Sequence, residues 1–473
     1  MGNTAKTQTT KGLAPSLILI GLVSAAMSSL GAPLVPTVVK VLHVHLGAAQ
    51  WTLTISLLVG AVITPVLARL GDGPHRRRVI LVTLWAVLAG SALATLPLGF
   101  IGLLVGRALQ GVGLGLSALI VGVAKDHFVG NKGRRLVALL SVTALAGVGF
   151  GYPIAGAIAE FAGLHAAYGI GIVMAGAALV FAYRTLPHEH HRATRKLDSM
   201  GAGLLGLALA SLLYTLTQVV GHVQPSVIVI GIIAMSLFVG WVVYERRQSE
   251  PLVQLNTLLH PAVLLADVVV LLASIGMYLL IATAVRYVQT PPTAVYGLGA
   301  SVLATGCMLT PFSIFGFVAS RVVPILRRTM HDRQVLALSM TVVLISLVGF
   351  AVFRSQLWGV FGWIALAGLG IGAVYAAIPA LIIDAVPAQI TTSALGFNQV
   401  LRMVGYSIGS AMSALILEAY TPGGSALPVS YGYTAVAIVG VIASVVTISI
   451  ILVSHTRQLR RKVVPVDKLQ IID

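Results

Sequence analysis

Fourteen runs of apolar residues follow one another along this chain, and little else about it leaves so few folds open. They cover approximately residues 13–35, 49–70, 79–99, 100–124, 136–159, 162–183, 199–220, 226–244, 262–285, 296–320, 335–353, 357–383, 390–419 and 430–455. Each is close to the roughly 20 residues that an α-helix needs to cross a bilayer. With no water there to satisfy backbone N–H and C=O groups, such runs must be helices. Composition agrees, because 58% of the 473 residues are hydrophobic and 9% are charged, against about 25% charged in soluble domains. The fold class expected is therefore an all-α polytopic membrane protein.

The polar opening, "MGNTAKTQTTKG", runs into an apolar segment that passes Ala32, too long for the core of a cleavable signal. The formal charge of +17 raises the question of a nucleic-acid partner. With the N-terminus placed inside, twenty-five of the thirty Lys and Arg fall in the tail, the inner loops or the C-terminus. Lys40, Arg286 and Arg354 fall on the other face, and Arg107 and Arg402 fall within spans. That asymmetry is the positive-inside rule, so both termini are expected to be cytoplasmic and no nucleic-acid role is called for. The single cysteine, Cys307, rules out intramolecular disulfides and cysteine metal clusters.

The chain also repeats itself. "LQGVGLG" at 109–115 matches "LAGLGIG" at 366–372, "VGFGYPIAG" at 148–156 echoes "RMVGYSIGS" at 402–410, and the basic loop at 69–78 has a counterpart at 321–333. These offsets equal eight spans, so spans 1–6 resemble spans 9–14, with spans 7 and 8 inserted. The expected organisation is a six-helix bundle over 1–185, a basic loop with the inserted helices over 186–255, a second bundle over 256–456 and a basic tail over 457–473. Two parallel six-helix halves with a site between them are the plan of a transporter that rocks about its midplane.

Several local groups carry chemistry. "ARLGDGPHRRR", 68–78, places Asp72 with Arg76, Arg77 and Arg78 between spans 2 and 3. "GRALQGVGLG", 106–115, buries Arg107 in span 4, where a charge costs about 2.5–3.5 kcal/mol and needs a cavity or a partner. "GVGFGYPIAG", 147–156, sets Gly147, Gly149 and Gly151 as a ladder, followed by Tyr152, Pro153 and Gly156. Glycines admit close helix packing in lipid, and the proline bends its helix. "QWTLTIS" at 50–56, "LDSMGAGLLGLALASLLYTL" at 197–216 and "FNQVLRMVGYSIGSAM" at 397–412 complete the set.

Taken together, these motifs resemble the major facilitator superfamily and, within it, the fourteen-helix drug:proton antiporters, over nearly the whole chain. The resemblance implies two six-helix bundles plus two inserted central helices. It implies a latch role for the 69–78 loop, in which Asp72 faces a helix N-terminus of the other half; an ordinary positive-inside turn is the other reading. Ala68, Gly73 and His75 stand where the family's pattern has other residues. Arg107 matches the intramembrane Arg-x-x-x-Gly linked in the family to proton transfer, and its other reading is an arginine that binds backbone carbonyls. The glycine ladder matches the antiporter signature, with Tyr152 interrupting the usual Gly-Pro pair, and implies a gate in span 5.

One departure bears on coupling. Antiporters of this branch carry an acid in the first span, whereas "SAAMSSLGAPLVP", 24–36, has none. Asp267, about five residues into span 9, becomes the leading proton carrier, tuned by Arg107; a salt bridge is its alternative reading. Glu160 and Glu418 end spans 5 and 13 on the outer side and Asp384 ends span 12 inside, where each also reads as a solvated cap. Arg402 joins the coupling candidates. Trp51, Thr54, Gln110, Tyr214, Tyr278, Tyr375, Asn398 and Gln399 are the candidates for a substrate cavity, each with a packing reading beside it. Aromatics with sparse polar groups suit lipophilic, often cationic, ligands. "HEHH", 188–191, reads as a hydrated loop rather than a metal site.

The function this reading implies is proton-coupled export of hydrophobic or cationic compounds by alternating access. The chain would sit in the plasma membrane, a bacterial inner membrane, as a monomer in contact with lipid, small lipophilic substrates and protons. No cofactor is expected beyond the proton gradient, and no catalytic constellation suggests an enzyme. Export of an endogenous metabolite, siderophore or lipid is the alternative on the same fold; a non-transporting sensor or scaffold is more remote.

Overall fold

The structure is a computed structural model that describes residues 12–30, 34–44, 46–71, 73–187, 198–218, 224–248, 255–294, 296–387, 390–422 and 427–463. Among the described residues it is helical, with no strand. The first half contains α1 (Leu13–Ser29), the short α2 (Val35–Leu42), α3 (Leu46–Gly71), α4 (Arg76–Thr95), α5 (Gly99–Val112), α6 (Leu116–His127) and α7 (Gly130–Thr185). Between the halves lie α8 (Ser199–Gln218), α9 (Pro225–Glu245) and the one-turn α10 (Leu255–Leu258). The second half contains α11 (Pro261–Gln289), α12 (Val302–Met308), α13 (Thr310–Leu326), α14 (Asp332–Val352), α15 (Leu357–Ala385), α16 (Thr391–Ala419) and α17 (Ser430–Val463).

Eleven of the described helices are long and apolar enough to span a membrane, and Leu13–Met27 and Met200–Thr215 are apolar but shorter. The fourteen expected spans differ from this in identifiable places. Spans 5 and 6 run on as the 56-residue α7, which as one straight rod would be about 84 Å long, far beyond any bilayer. The rod is interrupted at Gly163, whose φ of 85° lies in the left-handed region open to glycine. Span 4 tightens into a 3-10 turn at Gly113–Gly115 between α5 and α6, and span 10 breaks between α12 and α13, just before Pro311.

The repeated glycine runs occupy matching places. A Cβ on Gly111 would strike the Ser56 carbonyl of α3, and one on Gly368 would strike the Phe312 carbonyl of α13. Gly113 faces Val87 of α4 at 2.6 Å from such a Cβ, as Gly370 faces Val343 of α14 at 2.7 Å. Residues 256 positions apart thus receive equivalent glycines, and α5–α6 is packed against α3 and α4 much as α15 is against α13 and α14. Small residues allow this close backbone approach in a setting where lipid offers no hydrophobic drive between helices. The inserted α8 packs on α3, where Gly206 meets Val62, and α9 leaves most of its apolar surface outward, including Ile228, Ile232, Met235 and Val239.

Candidate functional site

A cavity of about 60 Å³ lies where the two bundles face one another. Its wall takes Gly21, Ser24 and Ala25 from α1, Leu57 from α3, Ser117 and Val121 from α6 and Ser141 and Thr143 from α7. The second bundle supplies Met277 and Tyr278 from α11, Pro379 from α15, and Asn398, Gln399, Arg402, Met403 and Tyr406 from α16. A water takes about 30 Å³ of liquid, and ligand pockets begin near 300 Å³. The cavity as it stands is therefore too small for such a ligand, with room for a few waters.

Both ends of the seam are shut. On one side Lys125 at the end of α6 donates to Thr391 Oγ1 at the start of α16 (2.5 Å), and Gly396 of α16 lies against Ala68 of α3, 2.6 Å from a would-be Cβ. About 30 Å further along α7, Thr310 Oγ1 of α13 donates to the Gly149 carbonyl at 2.8 Å. A Cβ on Gly149 would collide with Ser313, and one on Gly306 of α12 would lie 3.2 Å from the backbone of Tyr152 and Pro153. The ladder and the Tyr-Pro step are thus set into the seam between the bundles, with Gly151 half-buried and Gly156 buried. The surroundings of Gly147 lie outside the described residues.

Arg107 is fully buried in the first bundle, away from the cavity wall. Its Nε donates to the Thr52 carbonyl (2.8 Å), and Nη1 donates to the Met27 carbonyl (3.2 Å) and to Gln110 Oε1 (2.7 Å). Gln110 Nε2 continues to Ser91 Oγ at 3.1 Å, Ser56 Oγ donates to the Arg107 carbonyl at 2.8 Å, and the Tyr168 ring lies 5.7 Å from the guanidinium. No acid pairs with Arg107 among the described residues. Arg107 does not contact Asp267: the acid-free first span answers the arginine with the backbone carbonyl of Met27, near the end of α1, where carbonyls lack helical partners. Gln110, expected on a cavity wall, is spent on this network.

Asp267 is buried in α11 at 4% exposure, and Asn398 Nδ2 donates to its Oδ1 at 2.8 Å. Asn398 lines the cavity and Asp267 does not, so the carboxylate sits one hydrogen bond behind the wall. Three turns further along α11, Tyr278 stacks on Tyr406 with centroids 4.5 Å apart. Tyr375 lies behind them, exchanging hydrogen bonds with Ser274 Oγ (2.8 Å) and Tyr406 Oη (3.1 Å). Tyr152 reaches Tyr278 from the other bundle, hydroxyl to hydroxyl.

The remaining candidates are scattered. Trp51 and Tyr214 meet each other across α3 and α8, rings 5.8 Å apart, off the cavity wall, and Thr54 is half-buried beside them on α3 without lining the cavity. Glu160 and Glu418 are exposed. Asp384 is exposed and pairs with Arg327 at 3.2 Å. Arg76 is buried and holds Asp126 of α6 at 2.7 Å, Arg77 donates to the Tyr183 carbonyl at 2.7 Å, and Arg78 is exposed. The basic side of the loop is thus anchored within its own bundle. Asp72 and the 188–191 histidine run lie outside the described residues. Sequence reasoning missed Ser24, Ser117, Ser141, Thr143, Ser274 and Tyr406, single polar residues in apolar spans that no motif singles out, as well as the Lys125–Thr391 tie.

The family profile described as Major Facilitator Superfamily matches residues 17–410. The chain belongs to that superfamily. It is a membrane transporter, not an enzyme. It is 25% identical over 411 residues to the "Tetracenomycin C resistance and export protein" of Streptomyces glaucescens, covering 85% of this chain and 74% of that one. It is 23% identical over 418 residues to "Multidrug resistance protein 3" of Bacillus subtilis, covering 85% and 80%. The "Probable actinorhodin transporter" of Streptomyces coelicolor is 25% identical over 387 residues, covering 78% and 65%. Among solved structures, the human organic anion transporter MFSD10 (TETRAN) superposes with a TM-score of 0.66 at 15% identity, covering 93% of this chain and 99% of that one, a likeness of fold.

Proposed function

We propose that this transporter exports small hydrophobic compounds across the cell membrane in exchange for protons, by alternating access and without a cofactor. The observation that carries the reading is Asp267. It is a buried carboxylate with no cation beside it among the described residues, joined through Asn398 to a cavity between two bundles whose seams are closed at both ends. Protonation of such a group changes the cost of burying it, and so biases one conformation over another. The drug and antibiotic resistance relatives support outward movement of lipophilic compounds. Two relatives are named for a single compound each, which favours, as a second reading, export of one endogenous metabolite.

Everted vesicles carrying a lipophilic dye and a pH probe test the coupling. Dye uptake is expected to consume the pH gradient, and Asp267→Asn to abolish that consumption while leaving dye binding. Dye movement indifferent to the gradient in the unmodified protein would refute antiport. Full coupling in Asp267→Asn would remove Asp267 as the proton site.

A further inference from the structure

Arg402 presents a charge to the central cavity and has no answering group. It is 5% exposed, stands on the cavity wall, and its Nε has no hydrogen-bond partner. Its neighbour is the face of Tyr375, 3.9 Å from the guanidinium carbon. A ring quadrupole attracts a cation without neutralising it. No acid forms an ion pair with Arg402 among the described residues. Asp267 is hydrogen-bonded to Asn398, one helical turn from Arg402, and is not on the cavity wall. Arginine does not lose its proton in proteins, so a permanent cation stands at a wall that contains no carboxylate.

Buried arginines are expected to be matched by an acceptor. Arg107 has three, all protein atoms, with only Nη2 left over; Arg402 has no hydrogen-bonded acceptor among the described residues, and it stands on the cavity wall. We propose that Arg402 is the anion-recognition point of the cavity and that the exported compound is a flat aromatic acid, a carboxylate or ionised phenol. The guanidinium fork takes the acidic group, as its geometry favours. The stacked Tyr278–Tyr406 pair and the soft side chains of Met277 and Met403 take the ring system. A cationic substrate would meet a like charge with no wall carboxylate to offset it, so this departs from the cationic compounds anticipated from the aromatic spans. Arg402, Tyr406, Met403, Tyr278 and Met277 all lie on α11 and α16, which pack tightly through Gly405 and Gly409. They therefore move as one surface when the bundles part to admit a ligand larger than the cavity as it stands.

This inference rests on the exporter reading, and one matched set of probes separates the two. Pyrenecarboxylate, its methyl ester and pyrenemethyl-trimethylammonium share one ring system and differ in charge. Binding to purified wild-type protein is read by pyrene fluorescence, and movement is read in everted vesicles. The carboxylate is expected to bind at least about tenfold more tightly than the cation, as one hydrogen-bonded charge warrants. Arg402→Gln should cost the carboxylate about tenfold or more and leave the ester within about twofold, with Arg402→Lys in between. Preference for the cation in wild type, or unchanged carboxylate binding in Arg402→Gln, would overturn the proposal. Should Arg402→Gln fail to fold, the wild-type ranking alone decides. Proton-linked movement of the ester and cation without the carboxylate preference leaves the exporter standing and sinks this inference. If none of the three binds or moves, the exporter reading fails and takes the inference with it.

Discussion

The two halves repeat one pattern, yet each sets an intramembrane arginine, at positions the repeat does not align, in an opposite setting. In the first half the intramembrane arginine is consumed: Arg107 ties α5 to the Thr52 carbonyl of α3 and the Met27 carbonyl of α1. In the second half Arg402 has no hydrogen-bonded acceptor on Nε and faces the cavity. The glycines reverse the assignment. In the first copy Gly149 faces outward across the bundle seam, toward Ser313 and Leu309 of α13 and its start. In the second copy Gly405, the counterpart of Gly151 and not of Gly149, faces inward, toward Leu271 and Ser274 of α11 in its own bundle. One half thus presents glycine to the seam on an arginine-braced frame, and the other presents an arginine to the cavity on a glycine-braced frame.

Removing the charge in each half is the strongest way to break this contrast. Arg107→Gln leaves two carbonyls and Gln110 without a buried donor, at about 1–3 kcal/mol for each acceptor not satisfied otherwise. A destabilisation of about 2–4 kcal/mol is expected, read by unfolding in mixed detergent micelles. Arg402→Gln relinquishes no such bond, only the contact with the Tyr375 ring, and is expected to cost less, about 0.5–1 kcal/mol. Equal losses in the two variants would mean that Arg402 is also structural.

The contrast also explains what was legible from sequence. The spans were legible because the length of an apolar run reports the bilayer directly, and the repeat because close packing admits only glycine at positions such as Gly111 and Gly368. Arg107, Asp267, Asn398 and Gln399 stood out as polar residues in apolar runs. What a run of apolar residues does not encode is azimuth. A helix facing lipid on one side and protein on the other is apolar all round, so the periodicity that orients a helix in a soluble protein is missing. For that reason Gln110 was expected at the cavity and braces Arg107, while Trp51 and Tyr214 were expected there and cover each other. It is also why Tyr406, one turn from Arg402, went unnoticed although it completes the aromatic wall. The break at Gly163 was hidden for a different reason: a single residue at φ 85° leaves no trace in hydropathy.

The glycines provide the next largest test. Gly149→Ala places a methyl against Ser313 across the seam, an overpacking worth about 1–3 kcal/mol against the closed form. Hydrogen exchange in α7 and α13 should rise and transport rate should change, while the stability of each bundle is held. Adding Ser313→Gly removes the colliding atoms and should restore both. Gly405→Ala meets the Leu271 carbonyl at 2.7 Å inside one bundle, so it should lower the melting temperature and leave exchange at the α7–α13 seam as in wild type. A Gly405→Ala variant that loosened that seam instead would erase the division of labour between the copies.

The smallest effect belongs to the tie at the other end of the seam. Lys125 is half-buried and its hydrogen bond to Thr391 spans the bundles. Part-exposed contacts of this kind contribute about 1 kcal/mol or less, which corresponds to at most a fivefold change in the open population. Lys125→Gln should therefore shift, not abolish, the distribution of spin-label distances between the ends of α6 and α16, and Thr391→Val, which removes the same tie along with its own bond to the Pro387 carbonyl, should shift it in the same direction. The close approach of Gly396 to Ala68 would remain in both variants. If neither substitution moves the distribution, that packing alone closes this end, and both ends of the seam are then shut by small-residue contact rather than by charge.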